Sequence, residues 1–383
     1  MNETTSSTNQ QFGVLVAGGG VAALEAALAL RELAGSRVRT TLLAPDTTFV
    51  NRPARVKEPF GYATARTYPL AELASDIGVE LVSDRFKSLD AGGSIVHTEQ
   101  GEELPYDALV LATGARLRPA FSHGLTIDDS RIDEQLHGLI QDVEGGYVHS
   151  IAFVAPSAMP WPLPIYELAL MTARRAYDMQ TEVAVTIATP EDAPLAVFGD
   201  KVSVEVGRLL KENGITTITS AHAQVPEPGL VAIHPGDRTI KADRVVALPQ
   251  LYGPSMPGVP GGPEGGFIPI DSHCRVRGLA NVFAAGDATE FPIKFGGIAA
   301  QQADTAAEMI ASMAGAPVEP QPFAPVLQAI LLGADKPLYL SAQVTGTHGS
   351  NSEIGSEPRW SPPVKIAAKY LAPYLDARDR QSV

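Results

Sequence analysis

Three consecutive glycines near the start of the chain have a spacing that is suited to binding phosphate. The apolar run 12–17 leads into the glycines 18–20 and then directly into an Ala/Leu-rich helical pattern. In a strand–turn–helix of this kind Gly18 makes the tight turn, Gly20 lets a pyrophosphate approach the backbone, and Ala23 allows close helix–strand packing. The helix start adds free N–H groups and a positive dipole end. A purely structural glycine turn is the alternative, but this context favours a dinucleotide site.

The next strand ends without the acidic residue that such a site uses for ribose. This strand is predicted over 37–43, and Ala44 stands where the acid is expected, with Asp46 two residues later. Either Asp46 substitutes for it, or the ribose is held by backbone and water. Arg52, in a proline-broken loop at 49–60, is placed to reach a cofactor or to be a surface residue.

Two later strand ends carry further polar signals. An apolar strand within 104–116 ends in Ala112-Thr113-Gly114, and a strand over 281–285 runs into Gly286-Asp287. A Thr-Gly turn after a strand is common, but together with the first motif it resembles the turn at which the chain of two-domain flavoproteins leaves the flavin domain. Asp287 is placed to accept a hydrogen bond from a ribityl hydroxyl. The helix that begins at Gly296-Gly297 can direct N–H groups at the N1–C2=O edge of a flavin.

The middle of the chain repeats the strand–loop–helix–strand order over 147–189, as a nicotinamide-binding domain would. Its loop, 155–164, contains no glycine and four prolines, which remove backbone donors where a pyrophosphate needs them. The sequence therefore argues against a conventional NAD(P)H site, although NAD(P)H in an atypical pose stays open.

Composition narrows the remaining choices. The net charge is −14 and there is no basic run, which argues against nucleic acid as a partner. A single cysteine, Cys274, excludes a CxxC pair, and the histidines show no metal-ligand spacing, so no metal is predicted. The first ten residues lack the features of a signal peptide and no apolar run is long enough to span a bilayer, so a cytoplasmic protein is expected.

The motifs GGG-x-A-A-x-E, YDALVLATGAR and VFAAGDAT, in this order and at these separations, resemble the pyridine nucleotide-disulfide oxidoreductase superfamily over about residues 12–320. Within it the chain is most similar to sulfide:quinone oxidoreductases and type II NADH dehydrogenases. The resemblance implies an α/β fold of two Rossmann-like, doubly wound domains, the second inserted in the first, with FAD in the first and a C-terminal cap. It also implies that the helix from Gly297 faces the flavin pyrimidine ring and that Lys294 lies near a quinone-side cavity.

The chain departs from both of these groups. Sulfide:quinone oxidoreductases act through paired cysteines, and their Cys-x3-Pro motif corresponds here to Pro160–Pro164 without a thiol. Cys274 lies in the wrong place for a partner. The glycine-rich second fingerprint of the type II dehydrogenases is also missing, so both standard routes of electron delivery are absent from the sequence.

The predicted division of the chain is a disordered polar tail at 1–11, an FAD-binding domain in two parts, 12–118 and 247–320, a second Rossmann-like domain at 119–246, and a cap or interface segment at 321–383. Within the cap, 365–375 is a short amphipathic stretch. It is expected to pack on the body of the protein or on a second subunit of a homodimer. An interfacial membrane helix is the less favoured alternative, because only Lys365 and Lys369 support its charge component.

We predict an FAD-dependent oxidoreductase that passes two electrons from a small-molecule donor to a quinone-like or other small acceptor without cysteine chemistry. The alternatives are an NAD(P)H dehydrogenase with an atypical nicotinamide site and a non-catalytic flavin-binding module. The catalytic candidates are Lys294, Trp161, Tyr166 and Glu167. For the two aromatic residues the alternative is packing in the core. For Glu167 it is stabilisation of the helix dipole. For Lys294 it is pairing with Glu290 or Asp287. The cofactor-binding candidates are Gly18, Gly20, Val21, Ala22, Ala44, Asp46, Arg52, Phe86, Thr113, Gly114, Gly286, Asp287, Gly297 and Ile298.

Overall fold

The computed structural model describes residues 11–62, 64–128, 130–157, 161–261, 266–333, 335–345 and 348–381. The predicted polar tail, apart from residue 11, and the first residue of the Pro160–Pro164 motif lie outside this part of the chain. No helix in the described ranges is long and apolar enough to cross a membrane.

The described residues form seven α-helices and 23 strands. The helices are α1 (Val21–Ala34), α2 (Leu70–Ile77), α3 (Ile132–Glu144), α4 (Leu163–Asp178), α5 (Asp200–Glu212), α6 (Gly296–Met313) and α7 (Leu371–Gln381). The strands are β1 (Phe12–Ala17), β2 (Val38–Leu43), β3 (Thr48–Val50), β4 (Thr67–Pro69), β5 (Glu80–Val82), β6 (Phe86–Asp90), β7 (Ile95–Thr98), β8 (Glu103–Pro105), β9 (Ala108–Leu111), β10 (Arg116–Arg118), β11 (Leu125–Thr126), β12 (Ser150–Val154), β13 (Ala184–Ala188), β14 (Thr216–Ile218), β15 (His222–Glu227), β16 (Leu230–His234), β17 (Arg238–Lys241), β18 (Arg244–Ala247), β19 (Gln250–Tyr252), β20 (Val282–Ala284), β21 (Val326–Leu331), β22 (Leu338–Thr345) and β23 (His348–Gly355).

A five-stranded parallel sheet in the order β20-β9-β1-β2-β5 organises the first domain. Strands β1, β9 and β20 are apolar runs, as is typical of a parallel sheet covered on both faces. Helices α1 and α6 pack together along buried alanines, whose small side chains permit a close approach. This packing brings the N-termini of α1 and α6 to the carboxyl edge of the sheet. A smaller antiparallel sheet, β6-β7-β8, belongs to the same domain.

A second five-stranded parallel sheet, in the order β11-β18-β12-β13-β14, forms the middle of the chain. Two doubly wound units of this kind confirm the predicted α/β fold class. The chain enters the second unit through β10 and returns through β19, and these two strands pair antiparallel. We keep the predicted boundaries at 118/119 and 246/247 as a proposal, which this pairing supports.

The C-terminal segment contacts both domains. Its sheet, β21-β22-β23, packs through Leu327 and Leu340 on the core of the second domain. The following residues, among them Ile366 and Leu371, are buried in the core of the first domain. The apolar face of 365–375 is therefore covered by the protein itself.

Several local features differ from the sequence predictions. Strand β23 has no counterpart among the predictions, and the amphipathic helix expected within 365–375 starts only at Leu371 and continues to Gln381. The loop predicted at 49–60 contains part of β3 and a 3-10 helix, Arg52–Phe60. The 3-10 helix and β23 pack on distant parts of the chain, since 52–60 lies against α3 and β23 lies against α5. Helix α3 was also not predicted, although its buried residues recur at helical spacing: Ile132, Leu136, Ile140 and Val143.

Candidate functional site

A cavity of about 660 Å³ runs along the carboxyl edge of the first sheet and continues between the two domains. Ligands of open α/β sheets bind at this edge, outside the carboxyl ends of the strands. The residues that follow four parallel strands line it: Gly18–Ala22 after β1, Pro45 and Asp46 after β2, Ala112–Arg116 after β9, and Ala285–Asp287 after β20. The second domain and the C-terminal segment close its far end.

Gly18 and Gly20 serve the glycine turn in different ways. Gly18 has φ +139°, and a Cβ there would lie 2.2 Å from the carbonyl oxygen of Ala112. Only glycine therefore lets the ends of β1 and β9 meet. A Cβ on Gly20 would meet nothing within 4 Å. Gly20 lines the cavity at the N-terminus of α1, where no side chain caps the helix. This open cradle with free N–H groups fits a pyrophosphate.

The structure distinguishes Ala44 and Asp46, the two candidates at the end of β2. The buried Ala44 donates its N–H to the carbonyl of Val82 at 3.1 Å and is not among the lining residues. Asp46 is exposed and lines the cavity. Ala44 is therefore a packing residue, and Asp46 is the acid available at this end. Several other predicted residues also line the cavity: Val21, Ala22, Arg52, Phe86, Thr113 and Gly114.

A turn after β20 carries Asp287 into the cavity. Gln302, buried on α6, accepts the N–H of Gly286 at 2.8 Å, while the hydroxyl of Thr289 donates to the carbonyl of Gly286 at 2.9 Å. Burial raises the pKa of Asp287, whereas Lys294 and Arg52 nearby lower it.

Lys294 lies on the cavity wall beside this turn and is only 8% exposed. Its ammonium donates to the carbonyl of Thr289 and sits 3.9 Å from the centroid of the Phe267 ring. Burial lowers the pKa of Lys294 to about 8, against the opposing effect of Asp287 and Glu290. The predicted pairing with these two acids is thus electrostatic, and the hydrogen bond goes to the backbone.

Helix α6 approaches the cavity one residue earlier than the sequence indicates. The lining residues are Phe295, Gly296 and Ala299, whereas Gly297 and Ile298 are not among them. A Cβ on Gly297 would lie 2.9 Å from the ring of Phe295, and Ile298 is buried in the second core. Gly297 and Ile298 therefore do not line the cavity, and their contact with a flavin stays a prediction.

The two aromatic candidates, Trp161 and Tyr166, lie in different surroundings. Trp161 lines the cavity and stacks on Phe295, with ring centroids 4.4 Å apart. Tyr166 is completely buried inside the second domain, and its hydroxyl donates to Glu191 Oε2 at 2.6 Å. Burial raises the pKa of Tyr166 well above its ordinary value. Tyr166 is not among the cavity residues, which favours the alternative interpretation of Tyr166 as a core aromatic residue.

A buried ion pair closes the far end of the cavity. Lys365 Nζ lies 2.7 Å from both carboxylate oxygens of Glu167, and Glu167 Oε1 also accepts the N–H of Leu332 at 3.0 Å. Both charged residues line the cavity. Burial raises the pKa of Glu167 and the positive charge of Lys365 lowers it. Glu167 was predicted as a site residue, but its partner was not.

Among the lining residues that sequence reasoning missed, four come from the C-terminal segment and from the start of α6: Phe295, Ile330, Lys365 and Ile366. For these four, only the amphipathic pattern at 365–375 gave a signal, and it indicated a helix packed on the body or on a second subunit. Cys274 is buried in the core of the first domain and is not a lining residue. Within the described ranges, no cluster of three or more His, Cys, Asp or Glu side chains could hold a metal ion.

Comparisons with known proteins agree with this geometry. Residues 12–145 match the family described as pyridine nucleotide-disulphide oxidoreductase. The chain is related to these oxidoreductases. A sulfide-quinone reductase of Aquifex aeolicus (strain VF5) is 24% identical over 298 residues, which cover 73% of this chain and 69% of that protein. An NADH dehydrogenase-like protein of Mycobacterium tuberculosis (strain CDC 1551 / Oshkosh) is 26% identical over 303 residues, 72% of each chain.

Solved structures share the fold of this oxidoreductase. The sulfide:quinone oxidoreductase from Aquifex aeolicus superposes with a TM-score of 0.78 at 20% identity, covering 97% of this chain and 90% of that one. A ferredoxin reductase from Rhodopseudomonas palustris gives 0.64 at 21% identity, with 87% and 83% covered. The family match and the two relatives, together with this shared fold, confirm the predicted superfamily, the predicted class of FAD-dependent oxidoreductase and FAD as the predicted cofactor.

Proposed function

We propose that this oxidoreductase passes two electrons through FAD from a small donor to a quinone-like acceptor, without a redox-active thiol and without nicotinamide bound in the conventional way to the second domain. The observation that carries the proposal is the continuity of the cavity. It runs from the glycine turn to an end built from Trp161, Lys294, Glu167 and Lys365, while Cys274 lies outside it.

The cavity offers a group for each part of the cofactor. Asp46 is available to the adenosine ribose, the N-terminus of α1 at Gly20 to the pyrophosphate, and Asp287 to the ribityl chain. The start of α6 at Gly296 is available to the ring. When it is bound there, the flavin supplies a carrier of two electrons.

Lys294 is the residue best placed to stabilise negative charge in this cavity. A cation that is held rigidly in a site with little water stabilises an anionic oxygen or nitrogen far more than it would in bulk water. The backbone bond to Thr289 and the ring of Phe267 fix the position of the ammonium group. We propose that it faces the anionic edge of the reduced flavin or an oxygen of the acceptor.

The side chains that line the far end of the cavity favour an acceptor with a flat, apolar ring. Apolar side chains from both domains and from the C-terminal segment surround the two lysines and Glu167: Ile127, Ile132, Trp161, Leu163, Leu248, Ile330 and Ile366. A quinone combines an apolar ring with two oxygens that take up charge on reduction, which suits this mixture of groups.

The second domain offers little to a nicotinamide dinucleotide. Pro162 precedes α4 and Pro164 is in its first turn, so this helix start lacks two backbone donors. Glu191 follows β13, where an acid for ribose would stand, but its carboxylate already accepts the Tyr166 hydroxyl, the Thr189 hydroxyl at 3.0 Å and the Ala196 N–H at 3.1 Å. The Tyr166–Glu191 network thus occupies the group that a nucleotide would need.

The test is an anaerobic titration of the FAD-loaded protein with NADH, NADPH and sulfide in turn, following the flavin absorption band. We expect no bleaching by any of the three, bleaching by dithionite, and rapid recovery of the band on addition of menadione. Rapid bleaching by NADH or NADPH would instead favour the dehydrogenase alternative. A dithionite-reduced protein that menadione does not reoxidise would contradict the proposed acceptor and favour a non-catalytic flavin module.

A further inference from the structure

A carboxyl side chain lies within the apolar helix α1 of the first domain. Glu25 is on α1, is completely buried, and is surrounded in the sequence by alanine and leucine. A buried carboxylate is costly unless hydrogen bonds satisfy it. Its Oε1 accepts the N–H of Tyr370 at 2.9 Å and its Oε2 accepts the N–H of Leu371 at 2.5 Å.

These donors belong to a segment from the far end of the chain. Leu371 is the first residue of α7, so the N–H groups of Tyr370 and Leu371 stand at the positive end of that helix. A carboxylate on α1 therefore caps α7. Burial and the neighbouring Glu25 raise the pKa of Asp304 on α6 to about 8, whereas Lys369, in the same segment as Leu371, lowers it.

The other end of the segment is held by a second carboxylate. Lys365 pairs with Glu167 of the second domain, and the exposed fractions of the two side chains are 10% and 2%. Between the two anchors Ile366 is buried against the start of α6, because a Cβ on Gly296 would lie 3.1 Å from Ile366 Cγ1. Residues 365–371, which we name the cap strap, thus join the two domains across the cavity.

We infer that Glu25 is a positioning residue, which holds the cap strap on α1 and thereby fixes Lys365 and Ile366 in the cavity wall. The strap has one anchor on each domain, and Glu25 supplies the anchor on the first. Without Glu25 the strap keeps Lys365 and its buried apolar contacts but loses the two hydrogen bonds that fix it to α1, so the far wall of the cavity is held less firmly. The effect on the acceptor rests on the function proposed above, whereas the effects on the strap and on FAD do not.

The experiment compares Glu25→Gln and Glu25→Asp with the wild type, all loaded with FAD. The glutamine is neutral and replaces one of the two acceptor oxygens with an NH2 donor, and the aspartate keeps the charge but is one methylene shorter. We expect trypsin to cleave after Lys365 and Lys369 about tenfold faster in E25Q, because losing a hydrogen bond to a charged acceptor shifts local opening by roughly that factor. Release of FAD, followed by the fluorescence of the free flavin, should also accelerate, and E25D should show smaller changes.

Glu32→Gln is the matched control, since Glu32 lies on the same helix, is exposed and makes the same change of charge. For reoxidation of the dithionite-reduced protein by menadione we expect a higher half-saturating concentration of menadione in E25Q with a smaller change in the limiting rate, and no change in E32Q. Cleavage after Lys365 and Lys369 that equals the control would overturn the inference. Uniformly faster cleavage over the whole chain would also overturn it, because it would show general destabilisation. If E25Q does not fold, the comparison of E25D with the wild type decides the question. Faster cleavage at the strap with an unchanged half-saturating concentration of menadione would support the role of Glu25 in holding the strap and contradict the proposed acceptor site.

Discussion

At the scale of single residues, the glycine turn shows that one motif combines two separate physical requirements. Gly18 has a left-handed backbone and no room for a Cβ beside Ala112, so the fold itself requires it. Gly20 has an ordinary φ of −93° and open space around it. Its missing side chain leaves the space for a phosphate group.

This difference predicts opposite effects of two small substitutions. Gly20→Ser places a side chain in the cradle but supplies a residue that caps helices well, so the stability of the apoprotein should hardly change. Its affinity for FAD should fall at least about tenfold, because the serine occupies the space of the pyrophosphate. Titration of the apoprotein with FAD and thermal melting of both forms measure the two effects.

Gly18→Ala is the paired control. It should lower the melting temperature of the apoprotein itself, since the new Cβ would lie 2.2 Å from a backbone oxygen. Equal FAD affinity of G20S and the wild type would show that the cradle at Gly20 is not the phosphate site.

At the scale of elements, α4 and β13 show a Rossmann-like unit that keeps its topology. Side chains at positions where such a unit would bind a nucleotide stabilise the domain instead. Tyr166 from α4 and Glu191 from the end of β13 hydrogen-bond each other inside the domain. Burial raises the pKa of Glu191 to about 7, against the lowering effect of Tyr166 and Thr189. An acid whose folded pKa is raised stabilises the fold below its unfolded pKa and loses this contribution as the pH rises through about 7.

Tyr166→Phe should therefore destabilise the second domain in a pH-dependent manner. The lost hydrogen bond costs about 1 kcal/mol when Glu191 is protonated and roughly 1.5–3 kcal/mol when it is ionised. The loss of stability measured by urea unfolding should accordingly be larger at pH 8 than at pH 5. The flavin absorption spectrum should not change, because Tyr166 is not a cavity residue.

Tyr147→Phe serves as the control, since Tyr147 is 80% exposed and also loses only a hydroxyl. A perturbed flavin spectrum in Y166F with unchanged stability would restore the interpretation made from the sequence, in which Tyr166 lines the flavin.

At the scale of the whole molecule, a few buried charges join parts that are far apart in the chain. The Glu167–Lys365 pair connects the second domain to the C-terminal segment and is almost completely buried. Most other ion pairs in the described residues are more exposed, for example Arg208 with Glu205 and Glu212 on α5. Exposed pairs contribute little to stability, whereas removing one partner of a buried pair leaves an uncompensated charge.

Lys365→Met and Arg208→Gln should consequently differ strongly. We expect K365M to lower the free energy of unfolding by roughly 3 kcal/mol at pH 8, because Glu167 is left buried without its cation. The cost should be smaller at pH 5, where an unpaired Glu167 takes up a proton. R208Q should have little effect on the free energy of unfolding at either pH, because an exposed ion pair is screened by water. Denaturant unfolding of both variants tests this, and equal costs would contradict the role assigned to the buried pair.

Local sequence patterns were sufficient to predict the motif-bearing elements. The strand–turn–helix at Gly18, the strand ends at Thr113 and Asp287, and the helix after Phe295 depend on glycine geometry and on continuous apolar runs, which neighbouring residues determine. The neighbours of β23 and of the 3-10 helix at 52–60 are distant in sequence, and their patterns give no comparable local signal. Helix α3 is different, because its buried residues Ile132, Leu136, Ile140 and Val143 recur at helical spacing and were overlooked. The pattern at 365–375 indicated a packed helix but not that Lys365 pairs with a distant carboxylate.

The sequence by itself determined the fold class, the superfamily, FAD as cofactor and the glycine turn, because these depend on short motifs whose order along the chain is preserved. Only the tertiary structure decided which candidates share a cavity. It brought Lys365 and Ile366 to the site and removed Tyr166, Ala44, Gly297 and Ile298 from the lining. The physical reason is that side-chain direction and long-range packing, such as the Lys365–Glu167 bond across the domains, are set by the closed fold and leave no local mark in the sequence.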